Sequence, residues 1–464
     1  MASLVMLSPA PMVELPGGEV ILDVKFVEGM KLHCQLWPGP VRCVMRRGRY
    51  RIEAPMRYSL GQLGFDLIAL DEGARVPGLL LDEAALVYAA ADDMKSLHLP
   101  AAMQQRMGKL VYTVGEPLSG RLAHALAASP SLRRKLGGLW WNLTRERHLK
   151  EALRAADGVH FDGFPAQEAY RRLNPRSLGY LDNRLRTPMI ARAAEQAGRA
   201  AALEQGAPLR LVWVGPVDPL SGVEDLLPMA FLLRQRGVPF RLEMFGSGPL
   251  EARIRDGISG LGLQGCVTLQ APGPFDPVLV PHLRRGADLF ISPRRLATPQ
   301  STYVEALGCG LPILGYGNRM WRRMQAESGA GWVVRRGSVG GLVRALARLD
   351  SDRAAIIAAS RRAVEFARGN TFELLFAGRL CDLRGIGGLV CGWWRASPQL
   401  RGFGAPGGPS APRRRPAGPA PRGYFQSKER VSARGLWRSP GGRTSRRRRR
   451  RGGCCRSGSC GSLR

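Results

Sequence analysis

The chain has 464 residues, enough for two or three domains of ordinary size, and its formal net charge is +32. Residues 384–464 contain 20 Lys and Arg against one acid, Glu429, and so hold +19 of that charge. The smaller basic excess of the remainder suits an anionic substrate or an anionic membrane face. Zinc-finger spacing and basic helices interleaved with aromatics are absent from the sequence, which argues against specific nucleic-acid binding.

The sequence also predicts where the protein resides. The first 19 residues have no basic region and reach Glu14 early, which is not typical of a signal peptide. No uninterrupted apolar run is long enough to span a bilayer. Cysteines of residues 1–383 are scattered through apolar segments, as expected of reduced thiols in the cytosol: Cys34, Cys43, Cys266, Cys309 and Cys381. We therefore expect a cytoplasmic protein, with peripheral contact at the inner face of an anionic membrane as an option left open.

In the first part of the chain, short apolar strands alternate with helical stretches, a pattern that predicts a parallel, doubly wound α/β sheet. Leu4–Leu7 is the first predicted strand, and a Pro-rich loop ending in Gly17 and Gly18 follows it. Glu19–Trp37 is predicted as a helix, so the glycine pair would let a ligand approach the backbone closely. An ordinary loop is the alternative. Later strands are predicted at Val41–Met45, Asp66–Leu70, Ala85–Ala89, Leu110–Val114, Gly158–Phe161 and Leu178–Leu181.

Polar residues follow several of these strands. Glu116 ends the sequence VYTVGE, and His98 lies in a loop; an ordinary surface position is the alternative for both. Asp182 and Arg184, in YLDNR, are expected near the domain junction, as part of a site or as a salt-bridged hinge. The Ala-rich Thr187–Gln205 is predicted as a linker helix. We therefore place an N-terminal domain at 1–186, a linker at 187–208 and a C-terminal domain at 209–383.

The predicted C-terminal domain begins at Leu209 with a strand, a glycine-containing turn and a helix. Glycines at the carboxyl ends of such strands can admit a phosphate to backbone N–H groups. The residues concerned are Gly215, Ser221 and Gly222, which follow the first strand. Gly246, Ser247 and Gly248 follow the next strand, Phe240–Phe245, at its carboxyl end.

The stretch from Ala287 to Tyr316 predicts a strand, a long loop, a short helix and another strand. Ser301 is placed to cap a helix that begins at Thr302. The N-terminus of this helix would lie at the carboxyl edge of a parallel sheet, where α/β proteins bind phosphates and nucleotides. Glu305, one turn into the helix, is a candidate acceptor for sugar hydroxyls.

The motif S-P-x-x-x-x-T-P-Q-S-T-Y-V-E-A-L-G-C-G-L-P-I at 292–313 resembles the donor-site signature of the retaining glycosyltransferases of group 1. The resemblance implies the GT-B fold, in which two Rossmann-like domains face each other across a cleft. It implies a nucleotide-sugar donor, a glycan or lipid-linked acceptor, and no metal or other cofactor. Glu305 would bind the donor ribose.

The same resemblance assigns further residues to the donor and acceptor sides. Backbone amides of Gln300, Ser301 and Thr302 would hold the pyrophosphate. The Gly-x-Gly-Pro turn at Gly246 would lie beside the nucleotide, and the glycine loop after the first strand would face the donor phosphates. Residues at the carboxyl ends of the N-terminal strands would line the acceptor side, which makes Glu116 and His98 the catalytic candidates.

The sequence departs from the family pattern at three positions. Ala297 stands where the family usually has a first glutamate, and Pro216 and Ser221 replace two cations that neutralise the donor pyrophosphate. Arg294 and Arg295, in the neighbouring loop, are the nearest replacements. The leading hypothesis is glycosyl transfer with retention of configuration. A donor-binding homologue without turnover is the alternative, and a nucleotide-sugar epimerase remains open on fold alone.

From Arg384 onward the sequence is rich in Arg, Gly, Pro and Ser and has no apolar periodicity, which predicts a disordered tail. A third hypothesis is a polyanion-binding protein that acts through this tail, which would tether it to a membrane or nucleic acid. An out-of-frame reading of a GC-rich gene would give the same composition.

Overall fold

The computed structural model describes residues 2–48, 52, 55–127, 131–299 and 301–389. The predicted tail from 390 onward lies outside these ranges. Two parallel α/β sheets of Rossmann type follow one another along the chain, which confirms the predicted fold class. Among the described residues, no helix combines the length and apolarity needed to cross a membrane.

The N-terminal sheet runs in the order β10-β9-β8-β7-β1-β4-β6 with parallel neighbours, and β2, β3 and β5 form a small antiparallel sheet beside it. The strands are β1 (Ser3–Leu7), β2 (Val13–Glu14), β3 (Glu19–Asp23), β4 (Val41–Arg46), β5 (Pro55–Ser59), β6 (Asp66–Leu70), β7 (Ala84–Ala90), β8 (Lys109–Val114), β9 (Gly158–Asp162) and β10 (Ser177–Tyr180). The helices are α1 (Val24–Leu36), α2 (Leu60–Leu63), α3 (Gly78–Asp82), α4 (Leu99–Met103), α5 (Leu118–Ala127), α6 (Leu132–Ala155) and α7 (Phe164–Tyr170).

The C-terminal sheet runs β13-β12-β11-β14-β15-β16, which is the doubly wound order of dinucleotide-binding folds. Its strands are β11 (Leu209–Val214), β12 (Phe240–Phe245), β13 (Val267–Gln270), β14 (Leu289–Ser292), β15 (Ile313–Tyr316) and β16 (Gly331–Val334). The helices are α8 (Ala193–Glu204), α9 (Leu226–Gln235), α10 (Glu251–Gly260), α11 (Val280–Gly286), α12 (Ser301–Gly308), α13 (Arg319–Ser328), α14 (Val339–Ser351), α15 (Arg353–Arg368) and α16 (Phe372–Ile386).

The central strands of both sheets, such as β1, β11, β14 and β15, are largely buried on both faces. In β11, Leu211 and Trp213 belong to one apolar core and Val212 to another on the opposite face. This follows from the period of two along a strand: a strand covered on both faces needs apolar residues at every position. The apolar runs of the sequence therefore identified these strands.

The helix predicted at Glu19–Trp37 is wrong at its start. The chain first forms β3, which pairs with β5, and Asp23 then caps α1 by accepting the N–H groups of Lys25 (2.9 Å) and Phe26 (3.3 Å). Gly17 and Gly18 consequently occupy the turn between β2 and β3, with φ of 96° and 82°, where glycine is favoured. They do not form a loop between the first strand and a helix, so the reason for placing them at the donor phosphates is lost.

The last helix, α16, returns to the N-terminal domain. Leu380, Leu383 and Ile386 join the apolar core that contains Leu4 and Met6 of β1. Of the cysteines in residues 1–383, Cys34, Cys43, Cys266 and Cys309 are free, as predicted. Cys381 is disulfide-bonded, so the prediction of a reduced thiol is wrong there.

Candidate active site

The glycine turns after β11 and β12 meet at the carboxyl edge of the C-terminal sheet. The Val217 N–H donates to the Ser247 carbonyl at 3.0 Å. A Cβ on Gly246 would overlap the Gly215 carbonyl oxygen, and one on Gly248 would overlap the Val217 carbonyl oxygen. The structure thus brings the predicted glycines together, and the contact between the two turns explains why residues without a side chain occur at Gly246 and Gly248.

The second half of the β11 turn packs on the loop between β14 and α12. Gly222 has φ of 76°, and a Cβ there would overlap the Pro293 carbonyl oxygen. Ser221 is buried, and its hydroxyl donates to the Asp218 carbonyl (2.7 Å) and accepts the Val223 N–H (3.2 Å). Ser221 therefore shapes the turn with its hydroxyl, whereas Gly222 sets the distance to the neighbouring loop.

The two arginines of the β14–α12 loop have different surroundings. Arg295 is exposed, and its Nη2 lies 2.6 Å from Asp225 Oδ2, which also accepts the Tyr316 hydroxyl at 2.9 Å. Arg294 is half-buried and donates from Nη2 to Thr298 Oγ1 at 3.1 Å. Its buried Nε has no hydrogen-bond partner within the described part of the chain. Burial lowers the pKa of Arg294, and the attraction of Tyr303, Asp218 and Glu116 opposes this.

The helix α12 begins at Ser301, one residue earlier than predicted, and Ser301 and Thr302 are half-buried at its start. Gln300, the third predicted pyrophosphate ligand, lies outside the described residues. Hydrogen bonds to the sheet hold the first turn of this helix in place: the buried Tyr303 hydroxyl bonds with Ser292 Oγ of β14 (2.9 Å) and accepts from Asn318 Nδ2 (3.2 Å). The N-terminus of α12 therefore faces the edge where the glycine turns meet.

Glu305 is buried in α12 and is bound by Arg184, from the segment that follows β10. Its Oε1 accepts the Arg184 backbone N–H (3.3 Å) and Nε (3.1 Å), and its Oε2 accepts Nη2 (3.3 Å). The Arg184 guanidinium carbon lies 4.0 Å from the centre of the Phe275 ring. Glu305, which was predicted to bind ribose, thus pairs with Arg184, which was predicted to belong to a site or to a salt-bridged hinge.

More ionisable groups adjoin this pair. Lys25 Nζ lies 2.5 Å from Asp182 Oδ2, and the Asp182 N–H donates to Asp162 Oδ1 at 3.1 Å. Burial lowers the pKa of Lys25, but the charges of Asp182, Glu305 and Asp162 outweigh it, so the pKa is raised overall. Burial, and then the Asp182 charge, raise the pKa of Asp162. The two domains therefore meet through an ionic cluster beside Glu305.

Glu116 lies on the N-terminal side of the same region. Its Oε1 is 3.1 Å from His124 Nε2, and the hydrogen bond with Glu116 raises the pKa of that imidazole. A Cβ on Gly115 would be 3.4 Å from Pro299, and one on Gly120 would be 3.5 Å from Thr298. The segment carrying Glu116 therefore lies against the loop that carries Arg294.

His98 lies apart from Glu116 in the fold. It is exposed at the start of α4, and its Nδ1 is 2.8 Å from the Lys95 carbonyl oxygen. It lines a small cavity with Arg46 of β4 and Leu7 of β1. The structure thus gives Glu116, and not His98, a position beside the loops of the C-terminal domain.

A cavity of about 530 Å³ opens at the carboxyl ends of β1, β7 and β8 beneath α1 and α16. Its polar lining includes Lys25, His33, Tyr88, Tyr180, Asp182 and Arg379. Sequence reasoning singled out only Asp182 among these. His33 lies in a helix of apolar pattern, and Arg379 comes from the last helix of the described chain, so no local signal joins them.

Buried cations and aromatic rings define this cavity. Arg379 donates from Nη2 to the Tyr88 hydroxyl at 2.6 Å, and its guanidinium carbon lies 4.4 Å from the centre of the Tyr180 ring. Its buried Nε and the buried Nε2 of His33 have no hydrogen-bond partner among the described residues. Burial, and then the charge of Arg379, lower the pKa of His33 to about 3, so this imidazole is neutral. Because His33 Nδ1 donates to the Gly29 carbonyl (2.8 Å), its Nε2 is an unused acceptor, whereas Arg379 Nε is an unused donor. Aromatic faces beside an unused donor and an unused acceptor suit a carbohydrate.

The comparisons with known proteins agree with this geometry. Residues 208–352 match the family model described as "Glycosyl transferases group 1". This part of the chain is thus similar to the group 1 glycosyltransferases. It contains the glycine turns, Arg294 and Glu305, whereas the N-terminal domain lies outside the match.

Two curated proteins are similar to part of the chain. The amylovoran biosynthesis glycosyltransferase AmsK of Erwinia amylovora is 25% identical over 167 residues, covering 34% of this chain and 40% of the relative. The 2-deoxystreptamine N-acetyl-D-glucosaminyltransferase of Streptomyces fradiae is 28% identical over 160 residues, covering 34% of this chain and 37% of the relative. The chain thus matches well under half the length of each relative.

Solved structures resemble the whole of the described fold. Anabaena Alr3699/HepE in complex with UDP aligns with a TM-score of 0.58 at 12% identity, over 83% of this chain and 100% of that one. Sucrose-phosphate synthase of Thermosynechococcus elongatus aligns with a TM-score of 0.57 at 17% identity, over 82% and 98%. At these identities the likeness concerns the fold, which is GT-B as expected.

Proposed function

We propose that the protein transfers a sugar from a nucleotide-sugar donor to a glycan or lipid-linked acceptor, with retention of configuration at the anomeric carbon. The observation that carries the proposal is Arg294. It is a half-buried cation with an unused N–H in the loop that leads into α12, inside the part of the chain that is similar to the group 1 glycosyltransferases. A buried guanidinium beside a helix N-terminus favours a diphosphate.

Each part of the donor has a matching group in this proposal. The diphosphate takes the N–H groups at the start of α12 and the guanidinium of Arg294, which replaces the cations missing at Pro216 and Ser221. The ribose hydroxyls donate to Glu305, which then shares its oxygens with Arg184. The turn at Gly246–Gly248 lies beside the nucleotide. The named structures include a complex of Alr3699/HepE with UDP, which supports a nucleoside diphosphate as the ligand type.

The acceptor enters from the N-terminal domain in this proposal. The cavity beneath α1 and α16 offers Tyr88, Tyr180 and Arg379 to a sugar ring, and Glu116 lies where the two domains touch. Rate acceleration then comes from holding donor and acceptor in register and from stabilising the leaving diphosphate with Arg294 and α12. Neither contribution requires a metal ion.

Calorimetric titration of the full chain with nucleoside diphosphates and nucleotide sugars tests the donor site. Arg294→Gln should weaken binding at least about tenfold, since a hydrogen bond to a charged group contributes about 1.5–3 kcal/mol. Arg295→Gln is the matched control: the same substitution at the adjacent residue, which is already engaged by Asp225, should leave affinity within about twofold. Binding by no donor, or equal losses in both variants, would refute the assignment.

A donor-binding homologue without turnover is the second candidate. Two observations favour it: Ala297 stands in place of the first family glutamate, and Glu305 is already hydrogen-bonded to Arg184. The discriminating measurement is release of nucleoside diphosphate from the donor that binds, with and without candidate glycan or lipid-linked acceptors. Release above the Arg294→Gln background supports transfer, whereas tight binding without release across the acceptor panel favours the second candidate.

A further inference from the structure

The helix α6 exposes an apolar stripe on its solvent side. Leu132 is 71% exposed, Leu136 58%, Trp140 69% and Leu143 54%. Their spacing of four, four and three residues places them on one side of the helix over about 17 Å, given a rise of 1.5 Å per residue. Another side of the helix, about 100° around its axis, includes Asn142, Glu146, Leu149 and Leu153 and is buried against the domain.

Such a stripe requires an explanation because the solvent face of an amphipathic helix is normally polar. Here the face that packs on the domain carries the buried Asn142 and Glu146, while the outer face carries leucine and tryptophan. Apolar side chains exposed singly are ordinary, but a contiguous row along one helix marks a surface that another apolar phase covers.

The charges around the stripe indicate which phase that is. Arg133, Arg134 and Lys135 follow Leu132, and no acidic residue occurs from Leu132 to Thr144. The first acid, Glu146, is buried and paired with Arg121 and with Lys150 (3.1 Å). Trp141, 43% exposed, has the Arg145 guanidinium carbon 4.4 Å from its ring centre. The first half of α6 is thus basic, and the first acidic residue along the helix is turned inward.

We propose that the first half of α6 docks on an anionic bilayer surface. Leu136, Trp140 and Leu143 enter the boundary between headgroups and acyl chains, where tryptophan is favoured. Arg133 and Arg134 remain at headgroup depth and contact lipid phosphates, since long basic side chains extend along an apolar surface and keep their charge in water. The helix lies in the plane of the surface. This inference does not depend on glycosyl transfer.

Vesicle flotation of the full chain tests the docking surface, using phosphatidylcholine alone and phosphatidylcholine mixed with phosphatidylglycerol. The Leu136→Gln/Trp140→Gln variant should bind the anionic vesicles at least about tenfold more weakly, since each side chain loses interfacial burial. It retains every positive charge, including those of residues 390–464, so a loss of binding belongs to α6. The control is Leu79→Gln/Met107→Gln, which removes two apolar residues exposed elsewhere (67% and 98%) and should bind as the parent does.

Fluorescence quenching locates the contact. Vesicles of brominated lipid should quench the tryptophan emission of the parent, and Trp140→Phe/Trp141→Phe should remove most of that quenching while flotation persists. Equal flotation of the parent and the Leu136→Gln/Trp140→Gln variant would overturn the proposal. It would also be overturned if that variant changed the molar mass in solution without changing flotation, because the stripe would then join two copies of the chain.

Discussion

Arg184 binds both oxygens of the Glu305 carboxylate, through its backbone N–H and Nε on one and Nη2 on the other. The two residues belong to different domains, separated by 121 positions in the chain. The side chain of Glu305 is 4% exposed, so in this arrangement its charge is compensated by Arg184 rather than by water. A ribose that binds Glu305 must therefore share the carboxylate with this arginine.

The pair should respond unequally to loss of either charge. Arg184→Gln leaves a buried carboxylate without its cation and should lower the free energy of unfolding by about 3 kcal/mol. Glu305→Gln leaves an arginine whose side chain is 33% exposed and which stacks on Phe275, so about 1 kcal/mol is expected. Urea denaturation of both variants measures the difference. A larger loss for Glu305→Gln would contradict this account of the pair.

The ribose contact predicts a change in ligand discrimination. The parent protein should bind the preferred nucleoside diphosphate at least about tenfold more tightly than its 2′-deoxy or its 3′-deoxy form, because each deoxy form lacks a hydroxyl that donates a hydrogen bond to the charged Glu305 carboxylate, and such a bond contributes about 1.5–3 kcal/mol. In Glu305→Gln that preference should shrink to a few-fold. Titration of the three nucleotides against both proteins gives the ratio. An unchanged preference in the variant would place the ribose away from α12.

The importance of the close contact at Gly222 can be tested by comparing its substitution with that of Gly206, a glycine of similar backbone conformation. Gly222→Ala combines φ of 76° with overlap of the Pro293 carbonyl, so we expect a loss of about 3 kcal/mol in unfolding free energy and weaker nucleotide binding. Gly206→Ala, with φ of 74° and no atom within 4 Å of the new Cβ, should lose only about 1 kcal/mol and keep its nucleotide affinity. Equal losses would show that crowding at Pro293 is unimportant.

His33 predicts a pH dependence of stability. Its pKa is lowered to about 3 in the fold, so below about pH 6.5 the unfolded chain binds a proton that the folded chain does not. The contribution of His33 to stability is therefore complete above that pH and declines as the pH falls toward 3. Between about pH 7 and pH 5 the parent should lose about 2 kcal/mol more than His33→Gln. Parallel pH profiles of the two proteins would contradict the prediction.

Local sequence patterns identified the strands that lie inside the sheets. Phe240–Phe245 was predicted with its observed bounds, because apolar and charged residues alternate along it: Phe240, Leu242 and Met244 are buried on one face, whereas Arg241 on the other is exposed. Glu19–Asp23 was misread as helix because its strand character depends on β5, a partner more than thirty residues further along the chain. Strand preference is a property of the pleated neighbourhood more than of the segment itself.

The sequence did not predict which polar residues are buried, for a similar reason. The Ala-rich stretch around Arg199 predicted a linker helix, yet Arg199 is buried and donates to the carbonyls of Arg284, Ala287, Cys309 and Gly310 and to the hydroxyl of Ser360. All of these acceptors lie at least 85 positions away. His33 and Arg379 likewise acquire their surroundings only when α1 and α16 meet.

The position of α16 determines the order in which the apolar cores of the two domains are completed during synthesis. The core around β1 contains Leu380, Leu383 and Ile386, so the N-terminal domain is completed by a helix that is translated only after the whole C-terminal sheet. Domains generally fold as units while the chain is being made. Here the nascent N-terminal domain would present an apolar groove to chaperones until residue 386 is translated, whereas the C-terminal sheet has all of its strands by Val334.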